Sequence, residues 1–323
     1  MINDQRRTRN ILQGDTSRPG VAYKPSTLHH ARTDGSIRRI AWRLEPRDLV
    51  LALLLDEHRS LTAGQISSVL FTSPRTCRNR LAVLRRLGWV DHFTPIRPGR
   101  RLPARWVAGP LGARFAALYR GDPAPSPRRV RELQDSALAI RHVAHADGAN
   151  QFFIDLLVHA RRHPDNRLTR WWGAARTASA MGGSLRPDGH GVWREGQREV
   201  AFFLEFDTGT ETRRQLAAKL PRYRDKRLRG GPDWPVLLWL PTAAREAGVH
   251  DYLAGSGAGV TVATAARDAA APHGPAGPVW RLIGNGRRRL RLADLPGPLG
   301  ESGPYHPGPP TREDDPLYLL DAD

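Results

Sequence analysis

The chain has 323 residues, and its 50 Lys and Arg against 32 Asp and Glu give a formal charge of +18, which points to a polyanionic partner, most often nucleic acid. One cysteine, Cys77, excludes a disulfide framework and a multi-cysteine zinc site and fits a reducing cytoplasm. No apolar run approaches membrane-spanning length and MINDQRRTRNILQGD has no apolar signal-peptide core, so a cytoplasmic chain without a membrane partner is expected.

The length suits two domains. Residues 1–43 are polar, basic and weakly patterned and read as a flexible basic arm. Order is expected from RDLVLALLLDEHRSLTAGQISSVLF, where Leu49, Val50, Leu53 and Leu54 give a helical apolar face, Ser60-Leu61-Thr62 breaks it, and Ile66, Val69 and Leu70 mark a second short helix. TSPR turns the chain, and TCRNRLAVLRRLGWV predicts a third helix ended by Gly88. The pattern is a helix-turn-helix. WVDHFTPIRPGRRLPARWVAGP then reads as strand, basic Pro/Gly loop, strand, the wing of a winged helix, and LGARFAALY as a further helix. The expected DNA-binding domain spans residues 44–120.

On the third helix, Cys77, Leu81, Leu84 and Leu87 share one side, while Arg75, Asn79, Ala82 and Arg86 lie opposite, flanked by Arg78 and Arg85. An Arg/Asn face backed by a buried one is what a major-groove recognition helix requires. It is also what a solvated face of an Arg-rich protein looks like. The candidate DNA contacts are Arg75, Arg78, Asn79, Arg85 and Arg86, with Arg97, Arg100 and Arg101 from the wing.

GDPAPSPRR opens a Pro-rich linker over 121–134. The second domain, 135–296, reads as a helix through NQFFIDLLVHARR, three strands (LTRWWGAARTA, LRPDGHGVW, EVAFFLEFD), a helix to Leu220 that Pro221 should stop or kink, then strand WPVLLWL, helix REAGVHDYLAG and strand GVTVATA. GNGRRRLRL reads as a phosphate-contacting patch or a polar strand. Residues 297–323 form an acidic, Pro-rich tail that reads as disordered and able to compete with DNA. The overall class is mixed α+β/α/β.

Asp188 in RPDG lies at a strand turn, Glu205 and Asp207 end the next strand, and Lys219 stands on the helix beyond. Only Lys24, Lys219 and Lys226 are lysines in this arginine-rich chain, which draws attention to Lys219 as a compact ammonium where Arg would offer a planar guanidinium. A hairpin between the two strands would set Asp188 beside Glu205. Two carboxylates with water and phosphate oxygens are enough to bind Mg²⁺, which polarises a phosphodiester and activates water. The alternative is solvated strand-end carboxylates paired with arginine.

RWWGAARTA, RPDGHGVW, FFLEFDTGTE, LAAKL and PVLLWLP, with NQFFIDL upstream and the helical domain before it, closely resemble the replication-relaxation family of plasmid-borne proteins, over roughly residues 45–265. The resemblance implies a winged helix-turn-helix fused to a PD-(D/E)XK-like, restriction-endonuclease-type domain, acting on double-stranded DNA in plasmid replication-relaxation or mobilisation, by metal-dependent nicking or as a copy-number or transcription regulator on a degenerate scaffold. It implies Asp188 and Glu205 as metal ligands for Mg²⁺ or Mn²⁺ if the domain is catalytic, and no cofactor otherwise. Lys219 resembles a migrated lysine, because Asp207 occupies the usual lysine position; Asp188, Glu205, Lys219 and Asp207 form the candidate catalytic set. Related sequences read WWSEAR where this chain has Ala174, and Asp155 is a candidate replacement acid. Tyr223 would be the nucleophile of a relaxase but reads as structural. A homodimer is left open.

Overall fold

The computed structural model describes residues 37–97, 100–137, 140–255, 259–284 and 288–320. It is a mixed α/β protein. Of the expected N-terminal arm, residues 1–36 lie outside the described residues, whereas Ile37–Ile40 is a helical turn (α1) continued by a 3₁₀ turn over Ala41–Arg43.

Helix α2 (Pro46–His58) starts where Glu45 and Asp48 cap each other's backbone and Pro46 supplies a preset φ, and it buries Val50, Leu51, Leu54 and Leu55. Strand β1 (Leu61–Thr62) leads into α3 (Ala63–Leu70), whose Thr62 and Gln65 form a second reciprocal cap. Helix α4 (Pro74–Arg86) buries Cys77, Leu81 and Leu84 as its spacing predicts, and the chain leaves it through Gly88 at φ 74°. Strands β2 (Val90–Phe93) and β5 (Arg105–Ala108) pair antiparallel, with β1 on the far side of β5; between them β3 (Ile96–Arg97) and β4 (Arg100–Arg101) form a small hairpin. Helix α5 (Pro110–Tyr119) closes this half.

The expected linker is only partly one. Pro127–Ala137 is a helix (α6) that buries Val130 and reaches the Ala108 carbonyl through Gln134. Helix α7 (Ile140–Arg162) follows and crosses a six-stranded sheet. In chain order the strands are β6 (Asn166–Gly173), β7 (Gly189–Glu195), β8 (Arg198–Phe206), β9 (Val236–Leu240), β10 (Val262–Ala266) and β11 (Arg281–Leu282). They lie in the spatial order 11-10-9-8-7-6, with β8–β9–β10 parallel and the rest antiparallel. The segment expected as one strand through Ala178 divides at Gly173, since the Ala-rich AARTASA favours helix (α8, Ala174–Ala180).

Strand β8 is buried on both faces, and its alternation sorts the core. Phe202, Leu204 and Phe206 pack with Phe152, Trp239 and Trp280 on the α7 side. Ala201 and Phe203 pack with Leu216, Leu220 and Tyr223 on the other. Glu205 shares that second side by register. There the helix breaks near Pro221 as expected, into α9 (Arg213–Ala217) and α10 (Leu220–Leu228), because Pro221 cannot continue the first but sits well in the opening turn of the second. Helix α11 (Ala243–Ala254) spans β9 and β10, and α12 (Arg267–Ala270) follows β10.

The C-terminal segment is not a loose tail through residue 320. Asp314 is buried and accepts hydrogen bonds from Arg170, Trp172 and Arg176, so the acidic stretch has arginines of β6 and α8 as its partners within the fold. In GNGRRRLRL, residues 285–287 lie outside the described residues, while Arg289 pairs with Glu246 and Arg291 with Glu195.

Candidate functional site

Asp188 stands just before β7, where its backbone N–H donates to the Leu204 carbonyl at 3.0 Å and its Oδ2 accepts the Phe206 N–H at 2.8 Å. This carboxylate therefore clasps the end of β8. Its Oδ1 meets His145 Nε2 of α7 at 2.8 Å. The hydrogen bond and charge of Asp188 raise the His145 pKa above the usual imidazole value against the opposing effect of burial.

Glu205, on the same strand end, is 5 % exposed. Lys219 Nζ, from the joint between α9 and α10, sits 2.9 Å from its Oε2 and also 3.0 Å from Glu211. Tyr223 donates its hydroxyl to Oε1. Burial and the neighbouring Asp188 charge push the Glu205 carboxyl up; Lys219 and Tyr223 oppose this. Lys219 is held above its ordinary value because its two glutamate partners outweigh burial. Burial and the Glu205 charge hold the Tyr223 phenol well above its usual value, so it is a protonated donor.

Asp188 therefore lies beside the strand end that carries Glu205, and Lys219 is on Glu205; His145 and Tyr223, from outside the candidate set, contact the two carboxylates. Asp207 does not join them. The strand ends at Phe206, so alternation no longer governs the next residue; the Asp207 carboxylate pairs with Arg245 and accepts the Gly209 N–H at 2.8 Å. Its backbone carbonyl accepts from Arg267 at 2.9 Å. Asp207 thus joins β8 to α11 and α12, apart from the contacts of Glu205. Asp155 lies ten residues beyond His145, about 15 Å along α7, hydrogen-bonded to Gln151 and facing a cavity of about 820 Å³ rather than Asp188. The Gly173–Gly189 register puts Ala174 at the same end of the β6–β7 pair as Asp188, where it offers no oxygen.

Mg²⁺ commonly takes one or two carboxylates and completes its shell with water and substrate phosphate. Asp188 and Glu205 offer carboxylate oxygens of the kind Mg²⁺ takes. Among the described residues no group of three or more His, Cys, Asp or Glu is arranged to hold a metal ion.

On the other half, Arg75, Arg78, Asn79, Arg85 and Arg86 of α4 are all exposed. Arg85 lies 3.5 Å from Asp91. The side chains of Arg97, Arg100 and Arg101 lie outside the described residues; their backbone forms the β3–β4 hairpin.

A mixed α/β protein with a helical N-terminal half and a carboxylate–lysine cluster at the end of its central strand is the class these observations define. The family model for replication-relaxation matches residues 53–236, more than half of the chain, and the protein belongs to that family. The match takes in Asp188, Glu205, Lys219 and Tyr223. Membership supports a role related to plasmid replication. No curated protein and no solved structure matches the chain. Among the described residues no helix is long and apolar enough to cross a membrane.

Proposed function

We propose that this is a cytoplasmic plasmid-replication protein whose N-terminal half is a winged helix that docks double-stranded DNA and whose second half is a PD-(D/E)XK-like domain that nicks it. For the first half, support comes from the β1-β5-β2 sheet behind α3 and α4, the exposed Arg/Asn face of α4, and the β3–β4 hairpin as wing. For the second, the carrying observation is the convergence of Asp188, Glu205 and Lys219 at the end of β7 and β8.

In this reading Asp188 and Glu205 would hold Mg²⁺ or Mn²⁺, which when bound would polarise the phosphodiester and activate water. Lys219, at the same strand end, would stabilise negative charge developing on the phosphate. Tyr223 fixes the Glu205 rotamer. His145 holds the other oxygen of Asp188.

Supercoiled plasmid incubated with Mg²⁺ or Mn²⁺ tests this directly. The wild type is expected to give the open circular form and Asp188→Ala and Glu205→Ala to lose it; equal nicking by all three, or none by any, overturns the enzyme.

One observation favours a second reading, a copy-number or transcription regulator on an inactive scaffold. All four carboxylate oxygens of Asp188 and Glu205 already accept hydrogen bonds within the protein. Under that reading DNA retention survives and nicking is absent.

A further inference from the structure

The segment leading into α2 has no role in the proposed reader, yet it is patterned. Over residues 37–44, Ile37, Ile40 and Leu44 are partly buried and pack on the main core, a spacing of three and four residues that turns one side inward. The outward side carries Arg39, Trp42 and Arg43, all exposed. Trp42 is 82 % exposed, more than any other large hydrophobic side chain among the described residues. An indole in water beside arginines is the composition of a surface that another molecule covers. The Arg43 guanidinium lies 5.7 Å from the indole centroid.

The segment is also fastened beside α4. Arg80 of that helix donates to the Arg43 carbonyl at 2.7 Å and pairs with Asp48 and, at 3.3 Å, with Glu45. Arg80 is the chain neighbour of Asn79, so the Trp42 end is held against the helix proposed to read bases. The nearby acids do not cancel the outward charge, because Glu45 and Asp48 are engaged by Arg80, and Glu45 also by Arg47.

We infer that residues 37–44 form a second DNA-contacting surface, whose arginines take phosphates flanking the stretch that α4 reads and whose Trp42 lays its indole against the sugar and base edges of the same duplex. This rests on the reading of α4 as a DNA-contacting helix. The charge of the segment matches DNA, and its tether to α4 puts the two surfaces on one duplex. Phosphate contacts of this kind set affinity and salt dependence without setting sequence preference.

The test uses the full chain and a fluorescein-labelled random-sequence duplex, with anisotropy followed over roughly 50–200 mM salt. Arg39→Ala with Arg43→Ala is expected to weaken binding several-fold and to lower the slope of log K against log salt by about 2, and the corresponding Lys pair to restore it. DNA should quench tryptophan emission in the wild type more than in Trp42→Phe. These side chains face solvent, and melting of each variant checks that the fold is kept. Unchanged slope and quenching, while Arg75→Ala with Asn79→Ala still weakens binding, overturns the inference and leaves the reading of α4 intact. A wild type not retained at about 50 mM salt overturns both. A dimer that dissociates on Trp42→Ala with the DNA slope unchanged also overturns it, since a second copy then covers the indole.

Discussion

His145 Nε2 lies 2.8 Å from Asp188 Oδ1, a contact that ties α7 to the residue before β7. The pair makes a pH prediction. Asp188 raises the His145 pKa above 6.5, so the stability drawn from the contact is fully present below 6.5, the unfolded value, and is lost as pH rises through the higher folded value. NMR titration of His145 should show a midpoint above 6.5 that falls in Asp188→Asn. An unmoved midpoint would mean the contact is not made in solution.

Tyr223 donates to a buried carboxylate oxygen, so Tyr223→Phe leaves Glu205 short of one partner. A loss of about 1–3 kcal/mol of stability is expected, read by urea denaturation. With its hydroxyl buried and donated to Glu205, Tyr223 is expected to serve as a structural donor. Any nicking should survive Tyr223→Phe better than Glu205→Gln, and a covalent protein–DNA adduct lost only in Tyr223→Phe would contradict this.

How much of this site the sequence carries depends on the range of the contact. AFFLEF reads as a doubly covered strand because every residue is apolar except Glu205, and Pro221 marks the break between α9 and α10 from local sterics alone. Lys219 and Tyr223, four apart, share a helical face, a signal available in KLPRYRDK but masked by its charges. His145 had no such signal. Its partner is far along the chain, and only the packing of α7 on β8 through Gly148 and Phe206 brings it there. Asp207 misled for the opposite reason, since strand alternation predicts a shared face with Glu205 only while the strand continues. In the C-terminal segment, the Thr311–Asp314 cap was the one local sign that the acids are ordered.

Asp207 is buried and pairs with Arg245, which is partly exposed and also donates to the Glu211 carbonyl, so Asp207→Ala should act on stability and not on chemistry. Losing the pair should cost about 1–3 kcal/mol, because solvent reaches the arginine left behind. Folded Asp207→Ala should keep wild-type nicking per molecule, measured alongside its denaturation midpoint; lost nicking at full stability would return Asp207 to the site.

Arg170 is 1 % exposed and holds Asp314 at 2.9 Å, with the Gly308 and Pro309 carbonyls also at 2.9 Å. Asp314→Ala, or truncation at residue 296, would strand this guanidinium under the sheet. A destabilisation of about 3–5 kcal/mol is expected. If truncation instead leaves the melting temperature unchanged and strengthens DNA binding, the segment is the competing acidic tail its composition suggests.

The two halves of the chain share the larger of two buried clusters. The buried cluster runs from Val50 and Leu61 through Ala149 and Phe152 to Leu295 without a break. Polar contacts cross the same seam: Asp147 of α7 pairs with Arg105 of β5, its carbonyl accepts from Gln65 at 3.1 Å, and Arg161 donates to the Ser68 carbonyl at 2.5 Å. Helix α7 therefore serves as a wall of both halves. The protein is expected to unfold in a single transition, with far-UV circular dichroism and tryptophan emission coincident in urea. Arg105→Ala should shift both signals together, because Asp147 is left partly buried without its cation. Two separated transitions, or an Arg105→Ala that moves only one signal, would show that the halves fold independently despite the shared helix.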